Sequence, residues 1–391
     1  YPMPVELRAE LTQGSIFLAG EPLVCKICIS NCDQTYESPM LAWASVQLIC
    51  MCSITKAPAK ASQAVNGETS FIANRGETGF TYISTKPSIL FCNLVLRPGE
   101  SKFYEYEESL PWDAPPSHRG AGIRYSYKLV LGVSSLLGKT QLLRLPFRVL
   151  SVHGIKRIDQ TLSTGDDGAA ASQANKANPF VDWHPANTDE ASQEETILAQ
   201  ISAITGSKCL SGYNICNSQG DRVTRFSLFK TAYKLGENVL GVFDFADCTA
   251  QCLDVKVSLQ SVETVYQTED SGERKPVAYH TCTHAVEQLA ALDLQAAQLL
   301  LHLKPSLTPS FATRHADLAW KLAFEFATLR QPINDRPVPL QPLATLWQPP
   351  ATVATEHFEW ELSITVYACS PQAITASSVS AYAPSCSIVL A

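Results

Sequence analysis

Apolar and polar residues alternate along most of this chain. In VELRAEL, Val5, Leu7, Ala9 and Leu11 fall on one face and Glu6, Arg8 and Glu10 on the other. The two-residue period returns in LAWASVQLICMC (41–52), PSILFCNLVL (87–96), IRYSYKLVLGV (123–133) and LLRLPFRVL (142–150). Further on come LDVKVSLQSV (253–262), LAWKLAFEF (318–326) and FEWELSITVYA (358–368). These runs are short, rich in β-branched and aromatic residues, and separated by Gly, Pro, Asn and Asp. Such a pattern predicts an all-β chain of antiparallel sandwiches, each strand with one buried and one solvated face.

Helical spacing is scarce. EETILAQISAI (194–204) places Ile197, Ile201 and Ile204 on one face and predicts a short amphipathic helix. The stretch 285–303 carries both periods. Leu289, Leu292, Ala296, Leu299 and Leu303 follow a helical spacing, whereas Leu299, Leu301 and Leu303 alternate as in a strand. It predicts a helix or loop and then a strand from about residue 298. Residues 156–193 are rich in Ala, Ser, Asn, Asp and Gly and show little periodicity. They cannot bury enough apolar surface to offset their ordering entropy, which predicts a flexible linker. The Pro-rich run 331–350 reads as a long loop, because Pro does not serve central strands. The expected organisation is a sandwich over 1–155, a linker with a short helix over 156–205, a second sandwich over 206–369 and a flexible tail over 370–391.

The two halves repeat one another. Phe17-x-x-Gly20-Glu21-x-Leu23-x-Cys25-x-Ile27-x-Ile29 aligns with Tyr233-x-x-Gly236-Glu237-x-Val239-x-Gly241-x-Phe243-x-Phe245. Pro116-Ser117 precedes Tyr127-Lys128-Leu129 by the same interval that separates Pro309-Ser310 from Trp320-Lys321-Leu322. Each half closes on an alternating strand, LPFRV (145–149) and LSITV (362–366). Three anchors in one order point to duplication of a sandwich. Two copies of this length are domains rather than units of a solenoid.

Composition narrows the function. With 391 residues, two domains are expected. The net charge of −7, with basic residues dispersed along the chain, argues against nucleic-acid binding and shows no polybasic lipid patch. Thirteen cysteines without a small-scaffold framework, and no secretory signal in YPMPVELRAELTQGS, lead to the expectation of reduced thiols in the cytosol. The most apolar long run, Ala285 to Leu303, is broken by Glu287, Asp293 and His302, so membrane contact is expected to be peripheral.

Four features invite a chemical reading. Cys25, Cys28 and Cys32 have spacing suited to half a zinc site, but Lys26 and Ile27 offer no turn to converge the first two thiolates. In a strand Cys25 and Cys28 face opposite ways. The repeat carries Gly241, Asp244 and Asp247 at these three positions. Core thiols are therefore expected, and Cys248 and Cys252 are read the same way. GVSSLLGKT, Gly132 to Thr140, has one residue too many between its glycines for a phosphate-binding loop and runs on into a strand, so a hairpin connection is expected. The eight histidines, at 118, 153, 184, 280, 284, 302, 315 and 357, form no hydrolytic motif. His280 and His284 share a spacing that binds metal on a helix, but Thr281, Cys282 and Thr283 favour extended chain. Exposed polar histidines are expected instead. Asn178-Pro179-Phe180, a tripeptide that docks small adaptor domains, reads as chance in an Asn- and Ala-rich linker.

The wording of several segments resembles a known family. FLAGE (17–21), LAWASVQL (41–48), STKPSILFCNLVLRPGES (84–101), PPSHRG (115–120) with YSYKL (125–129), LLRLPFRVL (142–150) and FSLFKTAYKLGE (226–237) look like the Rgp family. The likeness spans roughly residues 5–153 and 209–367. It is specific in the first half and looser over 265–300. Rgp proteins are the smaller, arrestin-like subunit of the Ric–Rgp complex, an exchange factor for a Golgi Rab GTPase of the Rab-six class. The resemblance implies two tandem arrestin-like, immunoglobulin-type β-sandwich domains joined by a disordered linker. It implies a non-enzymatic scaffold without cofactor or metal, active in endosome-to-Golgi and intra-Golgi vesicle transport. The implied partners are the large β-propeller Ric subunit and the Rab, with cytoplasmic and peripheral Golgi membrane location through the complex. The alternative is an arrestin-like cargo or receptor sorting adaptor, like the arrestin-like subunit of retromer. No catalytic residue is expected. Partner-binding residues are not legible, beyond Trp112 and Trp183 as candidate anchors.

Overall fold

A computed structural model describes residues 5–32, 38–55, 79–136, 140–157, 193–207, 210–268, 273–292, 294–331, 353–377 and 383–390. The linker stretch 158–192 and the proline-rich run 332–352 lie outside the described residues, so the readings of Asn178-Pro179-Phe180, Trp183, His184 and that loop are not addressed.

Strands dominate, and the all-β class holds. The first half supplies β1 (Val5–Leu11), β2 (Ile16–Leu18), β3 (Pro22–Asn31), β4 (Met40–Ile54), β5 (Phe80–Ser84), β6 (Ser88–Val95), β7 (Ser101–Ser109), β8 (His118–Arg119), β9 (Ile123–Ser135) and β10 (Gln141–Leu150). A helix, α1 (Gln193–Gly206), follows where 194–204 predicted one. The second half supplies β11 (Ser211–Cys216), β12 (Arg222–Leu228), β13 (Ala232–Lys234), β14 (Asn238–Asp244), β15 (Cys252–Thr268), β16 (Arg274–Ala290), β17 (Ala296–His302), β18 (Phe311–Ala312), β19 (Ala316–Leu329) and β20 (Thr355–Tyr367). Then come α2 (Pro371–Ser377) and β21 (Ser385–Leu390).

The halves have one topology. Sheets run β21-β1-β3-β7 and β2-β10-β9-β4-β5 in the first, β11-β12-β14-β17 and β13-β20-β19-β15-β16 in the second. Alternation turns Val5, Leu7, Ala9 and Leu11 inward in the first half and Phe226, Leu228, Val239 and Phe243 inward in the second.

The duplicated motifs make duplicated bonds. Gly20 and Gly236 both take positive φ, 92° and 88°, a conformation that favours glycine. The following carboxylates close the turn alike: Leu18 N–H donates to Glu21 Oε2 at 2.8 Å and Lys234 N–H to Glu237 Oε2 at 2.9 Å. Ser117 N–H donates to Val149 O and Ser117 Oγ accepts from Val149 N–H. Ser310 does the same with Val366. Tyr127 Oη–H reaches Pro115 O at 2.7 Å, and Trp320 Nε1–H reaches Thr308 O at 3.2 Å.

Two expectations are corrected. Among the described residues of the Leu/Ala stretch there is no helix: β16 continues to Ala290, and β17 begins at Ala296, close to the strand start expected near 298. Ala285–Ala290 pair with Leu259–Asp254 of β15 and Ala296–His302 with Asp244–Asn238 of β14, and these two ladders override the helical spacing. Residues after 370 are not simply a flexible tail. Ile374 of α2 is buried against the first half, and β21 pairs antiparallel with β1 over six residue pairs. In the second half that edge belongs to β11, contiguous with its neighbour β12. In the first half a distant segment fills it.

Candidate functional site

The thiol cluster is core and surface, not a metal site. Cys25 is buried beside Leu23, Ile27 and Ile29, and burial pushes its thiol up to about 11. Cys28 points to the opposite face, and Cys32 is exposed. Gly241 replaces Cys25 in the second half because Phe226 stands where the first half has Ala9. A Cβ on Gly241 would lie 2.5 Å from the Phe226 ring. Cys252 is buried and pushed up to about 12, and Cys248 Sγ sits 3.8 Å from Asp244 O. Among the described residues no group of three or more His, Cys, Asp or Glu could hold a metal ion. From Gly132, β9 continues to Ser135 and pairs antiparallel with β10, as a hairpin does.

The scattered histidines are a different matter. PPSHRG opens β8, whose short hairpin with β9 meets the second half. His118 Nε2 lies 2.7 Å from Glu263 Oε2, and Gly122 N–H donates to Glu263 Oε1 at 2.7 Å. An ionised carboxylate can only accept, so Nε2 carries the proton; Nδ1 faces Thr308 Oγ1 at 3.3 Å. The side chains are 9% and 4% exposed, which corrects the expectation of a solvated histidine at 118. Burial works to raise the Glu263 pKa, but the His118 and Gly122 bonds outweigh it, and the carboxyl ends below its ordinary value.

Two glycines make this approach possible. A Cβ on Gly120 would sit 1.4 Å from Glu263 Oε2, and one on Gly122 would sit 2.9 Å from His280 Nε2. Around them Tyr125 Oη pairs with Thr313 Oγ1 at 2.9 Å, and Arg148 Nη2 donates to Ser306 O and Leu307 O at 3.1 and 2.8 Å. The Phe311 ring packs edge-on to His118 and Tyr125, and His315 packs against Phe80 and Tyr82. These bonds fasten the two sandwiches to each other.

Beside this contact lies a cavity of about 630 Å³ lined by both halves. His118, His280 and His284 all line it. His284 Nε2 pairs with Ser261 Oγ at 2.7 Å and its ring lies 4.8 Å from that of Trp320; burial holds its pKa below the ordinary value. His280 and His284 stand on a strand, as their neighbours predicted. The other described histidines, 153, 302, 315 and 357, lie outside the cavity's lining. Trp112 packs over Gly20, where a Cβ would come within 2.7 Å of its ring. The side chain is half-buried and packs against the core.

Sequence comparison gives this architecture a family. The family model described as Rgp1 matches residues 53–157 and 153–329. The chain belongs to the Rgp1 family. Human RAB6A-GEF complex partner protein 2 is 36% identical, with 98% of this chain and 99% of the human protein covered. The Bos taurus protein of the same name is 35% identical, over 92% of this chain and 93% of its own. Sporulation control protein Spo0M of Bacillus subtilis overlaps 37% of this chain and 49% of its own, at 12% identity and a TM-score of 0.26. The PPSHRG segment of this chain lies within the first matched range and is the one that carries His118 and Gly120 to Glu263.

Proposed function

We propose that this chain is the smaller, non-enzymatic scaffold subunit of a two-subunit guanine-nucleotide exchange factor for a Rab GTPase of the Rab-six class. The observation that carries the reading is the 36% identity to human RAB6A-GEF complex partner protein 2 across 98% of the chain. The larger partner is a Ric-type β-propeller subunit, and the complex works on Golgi membranes in vesicle transport. Exchange requires the complex to bind the nucleotide-free GTPase better than the loaded one, so that nucleotide loss becomes a population shift. Two sandwiches fastened through Glu263 suit that task, because a stiff subunit holds its partner's surface without losing interface energy to domain motion.

Release of fluorescent GDP from the Rab tests the proposal, with this chain alone, the Ric-type subunit alone, and both. Acceleration is expected from the pair. Release by the pair at the intrinsic rate overturns the exchange reading. Co-purification with sorting-coat subunits in place of the large propeller protein would favour a cargo adaptor.

A further inference from the structure

The lining of the interdomain cavity is unbalanced in charge. Among the described residues Arg119, Arg124 and Arg148 line it, with His118, His280 and His284, against a single carboxylate, Glu263. That carboxylate is already engaged by His118 and Gly122. Arg148 is held by two carbonyls of the second half. Arg119 and Arg124 differ. They are directly opposed in the β8–β9 ladder, and among the described residues neither guanidinium has a hydrogen-bond or ion-pair partner. Like charges facing across a ladder destabilise it, and arginine cannot relieve the repulsion by losing its proton.

We propose that this cavity is a binding site for a phosphorylated small ligand whose phosphate sits between Arg119 and Arg124. A phosphate dianion neutralises both guanidinium groups and accepts their paired N–H donors, whereas one carboxylate neutralises only one of them. The volume, about 630 Å³, falls within the range of small-molecule pockets and leaves room for more than the phosphate itself. The ligand touches both sandwiches, because Arg119 and Arg124 belong to the first and His280 to the second. A soluble phosphorylated metabolite and a phosphoinositide headgroup offer the same chemistry.

The test uses the full chain without partners and does not depend on the exchange reading. Calorimetric titration with pyrophosphate at constant ionic strength is expected to give saturable binding at one site per chain. Arg119→Gln with Arg124→Gln is expected to weaken it at least tenfold, and Arg119→Lys with Arg124→Lys by less. Because the Gln pair removes a like-charge opposition, its thermal midpoint without ligand should equal or exceed the parent's, which separates lost binding from lost folding. Sedimentation with phosphatidylcholine vesicles, with and without phosphatidylinositol bisphosphate, distinguishes the sources. Arginine-dependent sedimentation assigns the lipid, and pyrophosphate binding without sedimentation assigns the soluble ligand. Binding that persists unchanged in the Gln pair, or neither saturable binding nor arginine-dependent sedimentation, overturns the proposal.

Discussion

His118→Ala removes one of the two donors to a buried carboxylate while leaving the other, Gly122 N–H, in place. At 4% exposure Glu263 has little water to replace the lost bond, and depriving one member of a buried pair of its partner costs about 3–5 kcal/mol. The adjacent cavity admits some water, so the lower end applies, and about 3 kcal/mol corresponds to roughly a 100-fold rise in the population of the opened contact. Hydrogen exchange at the Gly122 amide reads this directly, because in the variant that amide keeps its own acceptor. Its exchange should accelerate by roughly two orders of magnitude, with core amides of β3 and β14 unchanged. His118→Gln restores a neutral donor and should recover part of the protection. A pH dependence follows as well. The Glu263 pKa is depressed in the fold, so the contact's contribution is present above the ordinary carboxylate range and lost as pH falls through the lower, folded value. Loss of His118 lets burial dominate and moves that acid limit upward. Gly122 exchange unchanged in His118→Ala, or acceleration shared equally by both cores, would refute the view that this pair fastens the sandwiches.

Three further outcomes are expected. Burial, with Glu194 adding, raises Glu21 to about 7 against the opposing Leu18 amide bond, so the stability this group confers is full below about 4.5 and fades as pH rises through about 7. Glu21→Gln should therefore raise the first sandwich's thermal midpoint at pH 8 by a few degrees and flatten its dependence on pH; an unchanged profile would contradict this. Gly241→Ala drives a methyl group into Phe226 and should cost about 1–3 kcal/mol of second-sandwich stability in urea unfolding, with Phe226→Leu restoring most of it. Deletion of residues 385–390 removes Leu390 from the core and bares the β1 edge. The first sandwich should melt earlier while the second does not, and self-association should appear in size-exclusion chromatography; identical melting would show that β21 contributes nothing.

The strands were legible because their inward residues sit two apart, and the duplication because Gly20-Glu21 and Gly236-Glu237 each build a turn from local bonds. Local spacing misled at 285–303, where pairing of Ala285–Ala290 with β15 and of Ala296–His302 with β14 decided the outcome. The interdomain contact could not be read from local spacing. His118 and Glu263 are 145 positions apart, and neither stands in a chemical motif. PPSHRG carries both His118 and Gly120, and the room left by the missing Cβ of Gly120 is where Glu263 sits. Likewise the arginines are dispersed in sequence, and only the fold gathers three of them at one cavity.

The placement of β21 on β1 bears on how the molecule is made. During synthesis β1 emerges first and β21 after everything else in both sandwiches. At about 5–20 residues per second on the ribosome, the β1 edge waits roughly 20–75 s for its final neighbour. An open edge in a nascent chain is a template for aberrant pairing. Glu6, Arg8 and Glu10, spaced along the outer face of β1, are the charges that guard it through that interval.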